Sequence, residues 1–412
     1  MLRVSPNNAA PGMVIALPVF HPQKPGHVLL KPGGVLDADI ITALLELHVH
    51  TLWIEYPPTS FMLRHISPAV LAEHGRLAIA LGDEFDRVRR DVHADLDFGV
   101  FCPAVRSLVH RLVDDDGASV FIDAIVAAGD PLLAHGANVG MLSLLMGLKL
   151  DGYLVEQRAR VSPRRAQNVE NLGIGAVLSD VGMLHIDTAA ASRWWSSYNE
   201  ADPAWRRHVL LGFERVRGHI PATAAGVVLH HHQRMDGSGF PRKSMVQGSP
   251  RAPRGRDIHI FSRIVAVADE FCRARARAGV DQPIAPSVVG LRRVVDLTRA
   301  GKLDANVLRA LAAVVPAYMP GSTVELNNGR VCVVTGWDPS RPCSPEVRPL
   351  IGHDPDTREH VLGAPINLAQ QPALSIVRSD GEPVANTNFH PERFGEFDLR
   401  AAQSASLELD AA

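Results

Sequence analysis

Cysteine is scarce in this sequence, and the four residues present (Cys102, Cys272, Cys332 and Cys343) contain no Cys-x-x-Cys pair. That scatter argues against a zinc ribbon or a disulfide framework and suits a reducing compartment. Excess charge is missing too. The 42 Lys and Arg residues against 44 Asp and Glu leave a formal net charge of −2, so bulk attraction to nucleic acid or an acidic membrane is not expected. No apolar run is read as approaching the length of a membrane span, and the first twenty residues lack a signal-peptide pattern. There is no repeat of the solenoid kind. These absences predict a cytoplasmic protein with no DNA partner and no membrane span. At 412 residues the chain is long enough for two or three domains with a sizeable core.

What the sequence does have is concentrated in residues 229–241, LHHHQRMDGSGFP. An apolar segment that reads as helix from residue 223 ends in three consecutive histidines, and an Asp-Gly-Ser-Gly turn follows. Val227 and Val228 lie four residues before His231 and His232, so the two imidazoles continue an apolar face. Neighbouring helical residues diverge by about 100°, which lets two imidazoles straddle one point in a cleft. Neutral imidazole is a common transition-metal ligand, although an isolated buried pair is more often a hydrogen-bonded core feature.

The same stretch resembles the HD-GYP family, whose second signature is His-His-Glu followed by Asp-Gly-x-Gly-Tyr-Pro. His231 and His232 fill the paired positions, Gln233 stands for the Glu, and Asp236, Gly237, Gly239, Phe240 and Pro241 complete DGSGFP, with Phe240 in place of Tyr. Further matches follow in family order. His135 lies at helical spacing with Val139, Leu142 and Met146 and matches the family's first metal-binding His. Asp180 and Gly182 match the His-Asp-x-Gly-Lys motif, but Ser179 replaces its His and Met183 its Lys. His208 with Gly212 matches His-x-x-x-Gly, and Asp269 sits in the Val-Ala-Asp motif. Gly173 and Gly175 make only half of a dinucleotide fingerprint, with no parallel-sheet pattern around them, and that reading is discarded.

Around this core the pattern changes. Residues 1–66 mix short apolar runs with Gly and Pro turns, with strands expected at 13–19, 27–30 and 51–54 and a helix at 37–47, an α/β module resembling one often found before HD-GYP domains. Residues 67–99 read as a polar, exposed connecting helix, and 100–316 as the helical metal-binding domain. Within that domain Arg251, Arg254, Arg256, Arg273, Arg275 and Arg277 read as solvated. Residues 317–386 alternate again, with Asn328-Gly329 as a hairpin turn, and give a small β-rich module; 387–412 read as a loose tail. The expected fold is mainly α, a helical HD-type phosphohydrolase core between two small modules.

The resemblance implies six metal ligands: His135, Asp180, His208, His231, His232 and Asp269. Asp180 would bridge two ions, one completed by His208, His231 and His232 and the other by His135 and Asp269, the second set having lost an imidazole to Ser179. Mixed imidazole and carboxylate suits iron or manganese, so one or two such divalent ions are expected. The family hydrolyses cyclic di-GMP, and Asp180 is the residue expected at the centre of that chemistry. Two expectations stay open. One is a metal-dependent phosphodiesterase slowed by Ser179 and Met183. The other is an inactive regulatory domain that binds a nucleotide or a signalling protein, with residues 236–241 as the docking loop.

Overall fold

The computed structural model describes residues 1–22, 24, 27–57, 59–60, 67–91, 96–114, 130–187, 189, 191, 199–242, 252–276, 284–353 and 360–390. Arg251, Arg277 and the tail from 391 onward lie outside the described residues, so the readings made for them have no structural counterpart here.

The fold is mainly α, a helical core with a sheet-rich C-terminal part. At its centre runs the Pro131–Leu148 helix. Asp130 starts it by accepting from the Leu132 amide (3.0 Å), and Pro131 fills the first turn. Its buried residues, from Leu132 and Leu133 through Val139 and Leu142 to Met146, lie on every side, the pattern of a helix enclosed by others. Contrary to the expectation that no apolar run approaches a membrane span, this helix is long and apolar enough to cross a membrane by length and composition alone. It is instead enclosed by the Pro68–Arg90, Glu170–Val177 and Ile260–Arg275 helices.

The connecting helix differs from expectation. Pro68–Arg90 exposes Arg76, Asp83, Asp86, Arg89 and Arg90 but buries Leu77, Leu81, Phe85 and Val88 at helical spacing, with Glu73 and Glu84 buried as well. It packs on both the Phe98–Asp114 and Pro131–Leu148 helices, so it is part of the core rather than an exposed strut. His74 fixes its position, its buried Nε2–H donating to the Ala137 carbonyl at 3.1 Å.

The two terminal modules meet. In the first, Leu2–Val4 pairs antiparallel with Leu52–Ile54, and Val19–Phe20 with Val28–Leu30. The strand expected over 13–19 reduces to bridges at Val14 and Ile15 before Val19. The Ala38–Glu46 helix starts at Asp37, which accepts from the Ile40 amide. In the last module, Thr323–Leu326 and Val331–Val334 form the hairpin across Asn328-Gly329, with Gly329 at φ +80°. They stand at the middle of a seven-stranded sheet. Alternation along Val331–Val334 explains why it is apolar on both faces. Cys332 and Val334 join the helical core, and Val333 joins Leu2, Ile15 and Ile54 of the first module. The sheet is thus a layer between the two, tied to the first strand by the Arg3 amide on the Gly321 carbonyl (2.9 Å) and by an Arg3–Asp380 ion pair.

Burial is the main cause holding the His74 pKa down to about 4, below its ordinary 6.5. The unfolded chain therefore binds this proton more readily than the folded one. The stability that neutral His74 contributes is complete above pH 6.5 and drains away as pH falls through about 4. In urea titrations of wild type and His74→Gln across that window, wild type should lose stability more steeply on acidification; parallel slopes would contradict this role.

Candidate metal centre

Five chain segments bring the histidines and carboxylates together, and each has a local reason to be where it is. Asp180 follows the Glu170–Val177 helix and opens a short 3-10 turn, Val181–His185. That turn lies directly on the His208–Val216 helix at Gly182. A Cβ there would stand 1.9 Å from the His208 carbonyl oxygen and 2.6 Å from the Gly212 nitrogen. Only glycine allows the approach, and it carries Asp180 to the His208 side chain. His231 and His232 come just after the Ala222–His230 helix, not within it as the sequence reading had them. Their rings are 4.1 Å apart, tilted by 46°. His135 projects from the central helix, and Asp269 from the Ile260–Arg275 helix.

All six side chains are buried. They form two overlapping sets in which the donor atoms lie within 4.8 Å of one another: Asp180, His208, His231 and His232, and His135, Asp180 and Asp269. The division is the one the sequence pattern implied. In the first set, His208 Nδ1 donates to the Trp205 carbonyl (2.7 Å) and His231 Nδ1 to the Val228 carbonyl (2.9 Å). With Nδ1–H so engaged, each ring in its neutral form turns a lone pair inward at Nε2. The two Nε2 atoms are 3.4 Å apart, and lie 3.1 and 3.6 Å from Asp180 Oδ1. Three acceptors facing one another need a proton or a cation between them. Neither ring nitrogen of His232 has a hydrogen-bond partner among the described residues. Burial first, then His231, His208 and Arg273, hold the His232 pKa well below its ordinary value, which leaves a neutral imidazole suited to a metal. By donor chemistry this set fits a divalent transition ion.

The second set is arranged differently. His135 Nε2 sits 3.2 Å from Asp180 Oδ2 and 3.0 Å from Asp269 Oδ1, so its N–H donates to acceptors on both sides. Burial opposes a charge on this ring, but the two carboxylates outweigh it and raise its pKa to about 9. Burial likewise works against the Asp180 carboxylate, and its histidine neighbours, His135 first and then His208 and His231, pull its pKa well below the ordinary value. Ser179 adds no ligand here: its hydroxyl donates to the Ala176 carbonyl at 2.9 Å. Met183 is buried within the apolar core, so the position of the signature Lys now carries packing in place of charge.

The loop after the histidines turns inward. Gly239 lies so close to the preceding turn that a Cβ would be 2.4 Å from the His232 carbonyl oxygen. Gln233 pins the loop by donating to the Pro241 carbonyl at 2.7 Å, a bond that an ionised Glu would not supply. Asp236 accepts from the Ser238 amide, and Gly237 takes φ +81°. The Phe240 ring, expected as a docking surface, is buried; it stacks on His232 at 4.7 Å and meets Trp205 edge-on at 5.4 Å. What this loop exposes is Asp236 and Ser238.

Sequence reading missed the charges behind the site. Arg273 and Arg275 were read as solvated, yet both are buried. Arg273 Nη2 lies 2.8 Å from Asp269 Oδ2 and 2.8 Å from Glu270 Oε1, and its Nη1 2.9 Å from Glu200 Oε1. Arg234 pairs with Glu270 as well. Burial alone would raise the Glu270 pKa, but Arg273, Arg234 and Arg293 bring it down to about 2. Spacing gave one usable signal, since Arg273 is four residues after Asp269 and so on the same helical face.

The fold and the site together define a class. Residues 148–289 match the family model described as HD domain. This segment contains Asp180, His208, His231, His232 and Asp269, while His135 precedes it. Among curated proteins, the chain is similar to a cyclic di-GMP phosphodiesterase of Pseudomonas aeruginosa, 26% identical over 171 residues, which are 40% of this chain and 38% of that protein. The match thus spans well under half of the relative. A solved structure from Bdellovibrio bacteriovorus, described as an HDG"Y"P protein, is 14% identical with a TM-score of 0.42, covering 75% of this chain and 97% of that one.

Protein purified with manganese supplied and no chelator should hold metal, and His231→Ala and His232→Ala should each weaken affinity at least about 10-fold, the smaller end of what losing even an outer partner of a metal ligand costs. Elemental analysis of folded variants checks this, and wild type that carries no metal would contradict it. Separately, Gly182→Ala should cost about 1–3 kcal/mol through overpacking and also lower metal content, because it levers Asp180 away from His208. A destabilised variant with unchanged metal affinity would show that Gly182 serves packing alone.

Proposed function

We propose that this chain binds cyclic di-GMP at the buried histidine–aspartate centre and hydrolyses it slowly, as a signalling protein of HD-GYP type. The observation that carries the reading is the convergence of the His208 and His231 Nε2 atoms on Asp180 Oδ1, three groups within reach of one cation. A divalent ion held by Asp180, His208, His231 and His232 would polarise a phosphoryl oxygen and acidify a bound water. The chain's own residues set up that chemistry. The Trp205 and Val228 carbonyls keep His208 and His231 in the ligating tautomer. Trp205 and Phe240 pack against His232 and keep bulk water from its ring. Asp180 is the residue on which both donor sets depend.

Slow turnover follows from what stands beside the centre. Losing one preorganised electrostatic contact commonly costs on the order of 10²–10³ in rate, and buried Met183 offers no charge to a phosphate. The inward-turned Ser179 hydroxyl favours a second reading, a domain that binds the nucleotide and regulates without cleaving it. Incubation of manganese-loaded protein with cyclic di-GMP, followed by separation of the products, distinguishes the two. A linear dinucleotide should accumulate slowly, and Asp180→Asn should reduce its rate by at least about 100-fold. Metal-dependent binding with no product would favour the regulatory reading, and neither binding nor product would refute both.

A further inference from the structure

The two donor sets share Asp180 but are not equivalent. The first has three imidazoles and a carboxylate. The second has one imidazole and two carboxylates, and Ser179, the neighbour that the motif would make a ligand, bonds away to Ala176. Both oxygens of Asp269 also have close charged or ring-nitrogen neighbours. Oδ1 faces His135 at 3.0 Å, and Oδ2 faces the Arg273 guanidinium at 2.8 Å.

Arg273 cannot easily swing aside. It rises one turn beyond Asp269 on the same helix and is buried there. From the other side Glu200 and Glu270 hold it at 2.9 and 2.8 Å, and Glu270 is itself tied to Arg234 and Arg293. A second divalent ion at Asp269 would share its carboxylate with this fixed cation, in a buried setting where like charges are poorly screened. Among the described residues the first set has no such neighbour within ion-pairing distance of Asp180, whose oxygens face His135, His208 and His231.

We propose that Arg273 takes the place of a second metal ion, so that the chain holds one divalent ion, at Asp180, His208, His231 and His232, and the His135–Asp269 half is neutralised by the guanidinium. This rests on the metal-centre reading above and assigns its stoichiometry. It makes Arg273 a positioning residue, holding Asp269 without metal, and not a group that meets substrate.

The test is manganese stoichiometry in the full chain. Wild type, Arg273→Met and Arg273→Gln are loaded with excess Mn²⁺, freed of unbound ion and measured by elemental analysis and by the manganese electron spin resonance spectrum. Wild type should hold one Mn²⁺ per chain with the spectrum of an isolated ion. The variants should take up more than one, with spin coupling between neighbouring ions. Two ions in wild type would overturn the proposal while leaving the metal centre intact. One ion in wild type and in both folded variants would overturn it too, since Arg273 would then not be what excludes the second. No ion in any of them would overturn the metal-centre reading itself. If both variants fail to fold, the wild-type count and spectrum still decide between one ion and two.

Discussion

A carboxylate in an apolar helical interior is costly unless positive or donor groups surround it. Asp180 is placed in such an interior by Val177, Val181 and the rest of the core, and much of the fold can be read as the means of meeting that cost. The 3-10 turn after it can approach the His208 helix only through Gly182. His135 is delivered from the central helix, and His231 from the end of another. A residue that is expensive in isolation thereby becomes the junction at which helices distant in sequence must meet.

A second buried layer stands behind the first. Asp269 joins the centre on one side and Arg273 on the other, and Arg273 leads on to Glu270, Glu200 and Arg234. Such a network is no simple gain in stability, because desolvation offsets much of the attraction. What it does is fix orientation: with its guanidinium held on several sides, the Asp269 carboxylate has little freedom to rotate.

The central features were legible in the sequence because they are local. Spacing within residues 229–241, the apolar frame around Asp180 and the face shared by His135 and Val139 depend on neighbours a few positions away. The helical class was legible for the same reason. What could not be read was what distant segments supply. Arg273 looks solvated until Glu200 arrives some seventy residues from it in sequence, as the Nη1 contact shows. The Pro68–Arg90 helix looks exposed if its charges are weighed and its Leu77–Leu81–Phe85 stripe is not. Phe240 looks like a surface until His232 and Trp205 cover it. The alternation of Val331–Val334 could be seen, but not that each face of the strand would meet a different partner.

The tethering of His208 and His231 to backbone carbonyls reaches beyond chemistry at the site. By keeping a proton on Nδ1, those carbonyls leave the facing nitrogens and Asp180 in mutual repulsion whenever neither a further proton nor a metal ion lies between them. An ion that binds only the folded chain then adds directly to its stability, in proportion to the logarithm of the ion's free concentration. Metal supply would therefore set how much of this protein survives the surveillance of cellular proteases, as well as what the surviving molecules can do. The centre would report scarcity as abundance: fewer chains, rather than the same number standing idle.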